Sequence, residues 1–407
     1  MPNSFQGISS GLAELKNFYQ GPIQDQFNED TPIYRGAEKG KESWSGYQVV
    51  KPMKVRRNQG IGATTDGGTL PAIGRQTTIQ ATISAKFNYL RFGITGPMIK
   101  ASQNDKGSFV RAAAYELQEG YKDLQADLNR QMSWDGSGDL ARVNTTLVAS
   151  TTLVIKGRED TEEALKFMDV GTMFDVYTSG GALVQAGLTV SSISSGSPTG
   201  STATMVITPA LSATAGDIIV RAGSTVSSEV QGLLTQLDGG TSTVFGIDRS
   251  LYLQTQGNVI DLNGAQLTLD KMQQAYNESL RRGGGKLSAI YCDFASQRMY
   301  QKLLTADKRY VNSMKGDGGF ANKDQNYLEF NGIPVVADKD CPTRFFFLPE
   351  SVIKKYVLAE MEFADETGSM YLAQTDADSF ETRIRMFVNL FNEKAAACSV
   401  LTDYVTP

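Results

Sequence analysis

Residues 55–75 read VRRNQGIGATTDGGTLPAIGR, and the fold turns on whether these five glycines and three arginines cradle a phosphate or shape a turn. A phosphate loop needs a complete glycine fingerprint or a Gly-Lys-Ser/Thr ending, and it must feed a helix whose free N–H groups hold the anion. Gly60-Ile61-Gly62 lacks the third glycine, and no Gly-Lys-Ser/Thr follows. The chain instead runs through Pro71 into Ile79, Ala81, Ile83, Ala85 and Phe87, an apolar alternation that predicts a strand. On the other side, Tyr47–Arg57 reads as a strand with an edge-type proline at Pro52. Two strands about a glycine-rich turn predict a long hairpin.

Downstream, Val110, Ala114, Leu117, Tyr121, Leu124 and Leu128 follow at steps of three and four, which predicts a helix from a Ser108 N-cap to about Met132. Trp134-Asp135-Gly136-Ser137-Gly138 stops it. From about 145 to 223 the composition shifts to Thr, Ser, Gly and Val, and Val176–Gly216 carries no charge, which predicts a small all-β module interrupted by a short helix at 160–168. Beyond it the pattern is mixed. A helix over Thr268–Arg282 ends in glycines, Asp293 is placed to cap another, and strands are expected at Leu287–Cys292, Ile333–Ala337, Phe345–Leu348, Arg383–Phe391 and Ala396–Leu401. The first 38 residues read as a polar, extended arm.

At 407 residues, 41% hydrophobic and 20% charged, the chain has the composition of a folded protein of two or three units. Its 39 basic and 44 acidic side chains do not suggest a protein built mainly to coat nucleic acid, so any DNA contact is expected to be local. No histidine occurs, which removes the commonest general base and zinc ligand. Cys292, Cys341 and Cys398 are widely spaced and read as small buried residues of a reducing compartment. The N-terminal stretch is not a signal peptide, and no run spans a bilayer, so synthesis and folding in cytoplasm are expected.

Motifs that carry chemistry are incomplete. Gly7-Ile8-Ser9-Ser10-Gly11 matches a hydrolase elbow as text, without a histidine to take the serine proton. Arg281-Arg282-Gly283-Gly284-Gly285-Lys286 reads as a helix C-cap, and Asp135–Asp139 and Lys315–Gly319 as turns rather than calcium loops. No catalytic residue, cofactor or metal is expected. One asymmetry stands out in charge. Glu360, Glu362, Asp365, Glu366, Asp376, Asp378 and Glu381 form an acidic strip without a basic residue, whereas the hairpin carries Lys51, Lys54, Arg56, Arg57 and Arg75 against Asp66. Two such patches on one chain can join neighbouring copies in a symmetric assembly.

The order of a polar arm, a basic hairpin, one long helix and mixed α/β with closing strands resembles the major capsid proteins of tailed phages. Gly107-Ser108-Phe109-Val110, Trp134-Asp135-Gly136, Gly246-Ile247-Asp248-Arg249-Ser250, Phe330-Asn331-Gly332-Ile333-Pro334-Val335, Phe380-Glu381-Thr382-Arg383 and Leu401-Thr402-Asp403-Tyr404 look like capsid sequences. The resemblance implies an α+β, Hong Kong 97-type fold. Residues 1–38 would be its N-arm, 39–86 the E-loop hairpin, 87–144 the peripheral domain with its spine helix, and 351–407 the rest of that domain. Residues 224–350 would be the axial domain, and 145–223 an inserted small all-β domain. It further implies a non-enzymatic shell protein of the virion, assembled in the bacterial host cytoplasm as hexamers and pentamers around double-stranded DNA held without sequence specificity. Portal, scaffolding and decoration proteins would be its partners, with no membrane. An encapsulin-type compartment shell is the alternative, with a β-rich tail or adhesin protein behind it.

Overall fold

The computed structural model describes residues 30–40, 44, 46–95, 106–159, 162–197, 200–237, 243–307, 328–364, 372–373 and 378–405. Most of the polar arm lies outside them. The part of the arm that is described is not wholly extended: Pro32–Gly36 forms one helical turn, started by a proline whose fixed φ suits the first helical position. β1 (Glu38–Lys39) follows it.

β2 (Gln48–Arg56) and β3 (Thr77–Ser84) pair antiparallel from Gln48↔Ser84 to Arg56↔Thr77, with a bulge between Lys54 and Arg56. The glycines are explained at the neck of the loop between them. A Cβ on Gly74 would lie 2.4 Å from the Gly60 nitrogen, and one on Gly60 would lie 2.7 Å from the Gly74 nitrogen, so the two arms can meet only without side chains. The alternation that predicted one strand to Phe87 is split at Ala85, where β4 (Lys86–Thr95) leaves the hairpin and joins another sheet.

That sheet runs β1–β18–β20–β19 with β4 against β20, where β18 is Ile353–Phe363, β19 Leu372–Ala373 and β20 Ser379–Asn392. The long helix, Lys106–Ser133, packs on one face of it. The helix is about 42 Å long at ~1.5 Å per residue. It starts before Ser108, which lies inside its first turn rather than at the N-cap. Leu124, Leu128 and Met132 are buried with Ile384, Met386 and Val388 of β20, whereas Tyr121, from the same periodic set, is 41% exposed.

After Trp134 the chain forms a closed antiparallel barrel in the order β10–β5–β6–β9–β8–β7. Its strands are β5 (Ala141–Val143), β6 (Leu147–Lys156), β7 (Met173–Tyr177), β8 (Leu183–Ser195), β9 (Thr202–Ala213) and β10 (Ile218–Arg221). Closure comes from Ile219 pairing with Ala141, so the chain enters and leaves side by side. Leu153, Ile155, Phe174, Met205 and Ile207 fill the interior. The short helix expected at 160–168 is absent among the described residues. Lys166 bonds back to Glu163 and Met168 to Leu165, giving successive turns that aim Phe167 at Trp134, 6.4 Å away and edge-on.

β11 (Thr243–Val244) and β12 (Ile247–Asp248) form a small ribbon. The second large sheet runs β13–β21–β17–β14–β16–β15. These are β13 (Asn258–Ala265), β14 (Ala289–Cys292), β15 (Leu328–Phe330), β16 (Ile333–Ala337), β17 (Phe345–Leu348) and β21 (Ser399–Tyr404). After β20 the chain therefore leaves the first sheet, and its last strand, β21, lies between β13 and β17 in the second. Helix Leu269–Gly283 is capped by Thr268 and ended by Gly284 at φ 62°. Asp293 Oδ1 accepts from the Ser296 N–H at the start of helix Phe294–Asp307, a cap legible in the sequence. All three cysteines are buried and free.

The first of these helices meets the segment before β21 at Gly283, where a Cβ would fall 2.1 Å from the Ala397 Cα. Backbone cannot yield as a side-chain tip can, so Gly283→Ala is expected to destabilise the chain by about 1–3 kcal/mol, read by denaturant unfolding. An unchanged midpoint would show that this contact is not as tight as the geometry states.

Candidate assembly interface

The root of the hairpin is packed on the body, and most of its loop is exposed. Ala81 and Ile83 are buried with Val244, Phe245, Ile247, Tyr356 and Phe391. The Thr82 N–H donates to the Phe245 carbonyl at 2.8 Å, and Asn389 Nδ2 donates to the Ser84 carbonyl at 2.8 Å. Lys51 Nζ reaches inward to Glu393 and to the Tyr356 hydroxyl. Burial works against the Glu393 carboxylate, yet hydrogen bonds from Lys51, Lys354 and Tyr356 hold its pKa below the ordinary value. A groove of about 520 Å³ remains beside the root, lined by Pro52, Thr78, Ile79, Gln80, Gly246, Ile247, Asp248 and Tyr252.

Beyond the root, the loop presents apolar and cationic side chains to solvent. Ile61 is 85% exposed, Leu70 80% and Ile73 104%, and Lys54, Arg56, Arg57 and Arg75 are exposed as well. Each large apolar side chain left in water forgoes ~1.5–3 kcal/mol of burial. Of the five hairpin cations singled out in the sequence, Lys51 is thus engaged within the chain, and the other four face outward.

The acidic strip is distributed differently from its sequence order. Glu360 and Glu362 stand on the face of β18 opposite the long helix and pair with Lys39 and Arg385, and Asp378 is exposed just before β20. Glu381 is 6% exposed because Arg91 and Arg383 close over it. Asp365, Glu366 and Asp376 lie outside the described residues. Strand alternation puts Phe87 and Tyr89 of β4, both 57% exposed, on this same face beside Phe387, with ring centroids 4.9 and 5.6 Å from it. Arg385 lies 5.7 Å from the Phe387 ring. Sequence reading missed this aromatic face. Its signal was the alternation Phe87, Tyr89, Arg91, which continues the hairpin pattern past the break at Ala85.

A cluster of buried charge lies at the end of the long helix. Arg130, at the end of the long helix, bonds Asp127 at 3.0 Å and Glu229 at 2.5 Å, and Arg221 of the barrel reaches the same Asp127. Burial opposes ionisation of Asp127, but Arg130 and Arg221 overcome it and hold its pKa well below the ordinary range. Asp135 bonds Arg158, Arg281 bonds Glu278, and Gly284 ends the helix before it in the left-handed conformation, as a C-cap does. Gly7–Gly11 and Lys315–Gly319 lie outside the described residues. No helix among the described residues is long and apolar enough to cross a membrane.

The described residues thus comprise a hairpin with an exposed loop, a helix-backed sheet, a closed barrel and a mixed second sheet. The same fold occurs in solved phage capsids. The chain superimposes on the cyanophage A-1(L) capsid asymmetric unit with a TM-score of 0.62 at 14% identity, covering 98% of both chains. It matches the capsid of a native GTA particle with a TM-score of 0.53 at 9% identity, over 99% of this chain and 100% of that one. A structure of Gordonia phage Cozz gives 0.50 at 8% identity, over 98% and 94%. No family model matches the sequence, and no curated protein does either. The described residues have the α+β fold of phage capsid proteins.

Proposed function

We propose that the chain is the major capsid protein of a tailed double-stranded DNA phage, a structural protein that self-assembles into the icosahedral head shell enclosing the genome. The observation that carries this reading is the hairpin, on which Ile61, Leu70 and Ile73 and the four cations Lys54, Arg56, Arg57 and Arg75 are exposed. Residues 39–86 are the E-loop, the helix Lys106–Ser133 is the spine of the peripheral domain, the second sheet belongs to the axial domain, and the barrel is an insertion. Hexamers and pentamers form as each hairpin lies across an adjacent copy, a head-to-tail contact that closes into rings. Portal, scaffolding and decoration proteins are the further partners, the virion is the location, and no catalysis is involved.

The receiving surface is the outer face of the first sheet on the neighbouring copy, where Phe87, Tyr89 and Phe387 offer apolar area beside Glu360 and Glu362. Within one subunit the loop side chains Ile61, Leu70 and Ile73 are exposed rather than seated on that face. The existing Lys39–Glu360 and Arg385–Glu362 pairs are exposed, worth ~0–1 kcal/mol each, and can exchange for Lys54, Arg56, Arg57 or Arg75. Glu381 and Lys51 act within the subunit.

Negative-stain microscopy of the purified full chain tests the reading. Closed, uniform shells are expected, and DNA inside particles from an infected host separates a phage head from a compartment filled with protein cargo. A monodisperse monomer at high concentration would contradict it.

A further inference from the structure

The barrel is held against the rest of the chain by a charged seam, and one carboxylate in that seam is incompletely matched. Glu162, in the turns between β6 and β7, is 6% exposed, and its Oε1 accepts no hydrogen bond. The Lys166 ammonium stands 3.7 Å from that oxygen, close enough for attraction and too far for a hydrogen bond.

Lys166 has a second call on it from the body. It donates to the Cys341 carbonyl at 3.1 Å and lies 5.6 Å from the Trp134 ring centroid. These contacts tie the barrel to the loop before β17 and to the end of the long helix. Arg158, which bonds Asp135 and stacks 4.5 Å from Trp134, is the other cation facing Glu162. Two anions face it as well, Glu159 from the same segment and Asp293 from the start of helix Phe294–Asp307. Glu159 is itself held by Arg344 through hydrogen bonds of 2.8 and 2.9 Å. An ionised Glu162 leaves a buried charged oxygen without a donor, repels Glu159 and Asp293, and draws Lys166 away from the Cys341 carbonyl. A protonated one does none of these.

We propose that Glu162 is a proton-operated latch on this seam: protonated, it leaves Lys166 on the Cys341 carbonyl and the barrel firmly seated; ionised, it loosens the seating. Burial, opposed in part by Lys166, pushes the Glu162 pKa up to about 7, so the latch works near neutrality. The folded chain keeps the proton up to about 7, whereas an unfolded glutamate loses it near its ordinary 4.5. Seam stability therefore falls as pH rises between these values, and the loss is complete above about 7. This depends on the seam alone and stands whether or not the chain builds shells.

Amide hydrogen exchange on the full chain, corrected for the intrinsic pH dependence of exchange, tests the latch. In the wild type, protection of residues 162–168 is expected to drop by about tenfold from about pH 6 to about pH 8, while β6 and β9 in the barrel core stay constant. Glu162→Gln, which keeps the neutral shape, is expected to remove the drop. A wild-type seam with flat protection, or a Glu162→Gln seam with the same drop, would overturn the proposal. If the variant fails to fold, the wild-type profile still decides.

Discussion

Reversing Arg56 and Arg57 together to glutamate is expected to reduce shell yield by at least about tenfold while the subunit still folds. Both side chains are exposed at the end of β2 and make no ion pair among the described residues, so nothing inside the subunit is lost. In the assembly, each copy's pair would meet the Glu360 and Glu362 side of the next, and two attractions would become repulsions worth ~1 kcal/mol or less each. The energy per contact is small, but it recurs at every hairpin of a shell with many copies, and nucleation depends on several contacts at once. The variant should show an unfolding midpoint within about 1 °C of the wild type, and sedimentation should show subunits or small oligomers. Normal particles with unchanged salt resistance would remove the charge pairing from the account and leave only the apolar contact.

The largest loss of stability is expected from Trp134→Ala. The indole is 2% exposed and lies where three parts of the chain meet. Its Nε1–H donates to the Asp340 carbonyl at 2.7 Å, Arg158 stacks on it from the barrel, and Phe167 meets it edge-on. Truncation leaves a cavity, an unsatisfied carbonyl and two cations without their ring, for a cost of about 3–5 kcal/mol. Denaturant unfolding measures this, and limited proteolysis should cut first in the turns before β7, because the barrel has lost its seat. Trp134→Phe should recover the packing without the hydrogen bond and so fall between. A Trp134→Ala loss below about 1 kcal/mol would mean that the seam is carried by other contacts.

Much of the architecture was legible because local signals agreed with it. A glycine-rich turn between two alternating runs marked the hairpin, three- and four-residue steps marked the long helix, and Ile333–Ala337 and Phe345–Leu348 form strands with those bounds. What failed was set by tertiary contacts. β18 escaped notice because bulges near Val357 and Ala359 break its alternation, and its Glu360 and Glu362 read as a charged strip rather than as one face of a strand. The 160–168 segment has helical spacing, but Phe167 packs on Trp134 and the backbone follows it into turns. The sequence showed the charge of Lys51 and Glu381 and not their direction, which depends on Glu393 in one case and on two arginines in the other.

Near-atomic cryo-electron microscopy of assembled particles tests the central claim most directly. A closed icosahedral shell is expected, in which the loop between β2 and β3 lies on the Phe87–Tyr89–Phe387 face of an adjacent copy, with Ile61, Leu70 and Ile73 covered. Particles whose hairpins touch no neighbour, or a protein that forms no closed shell, would contradict it.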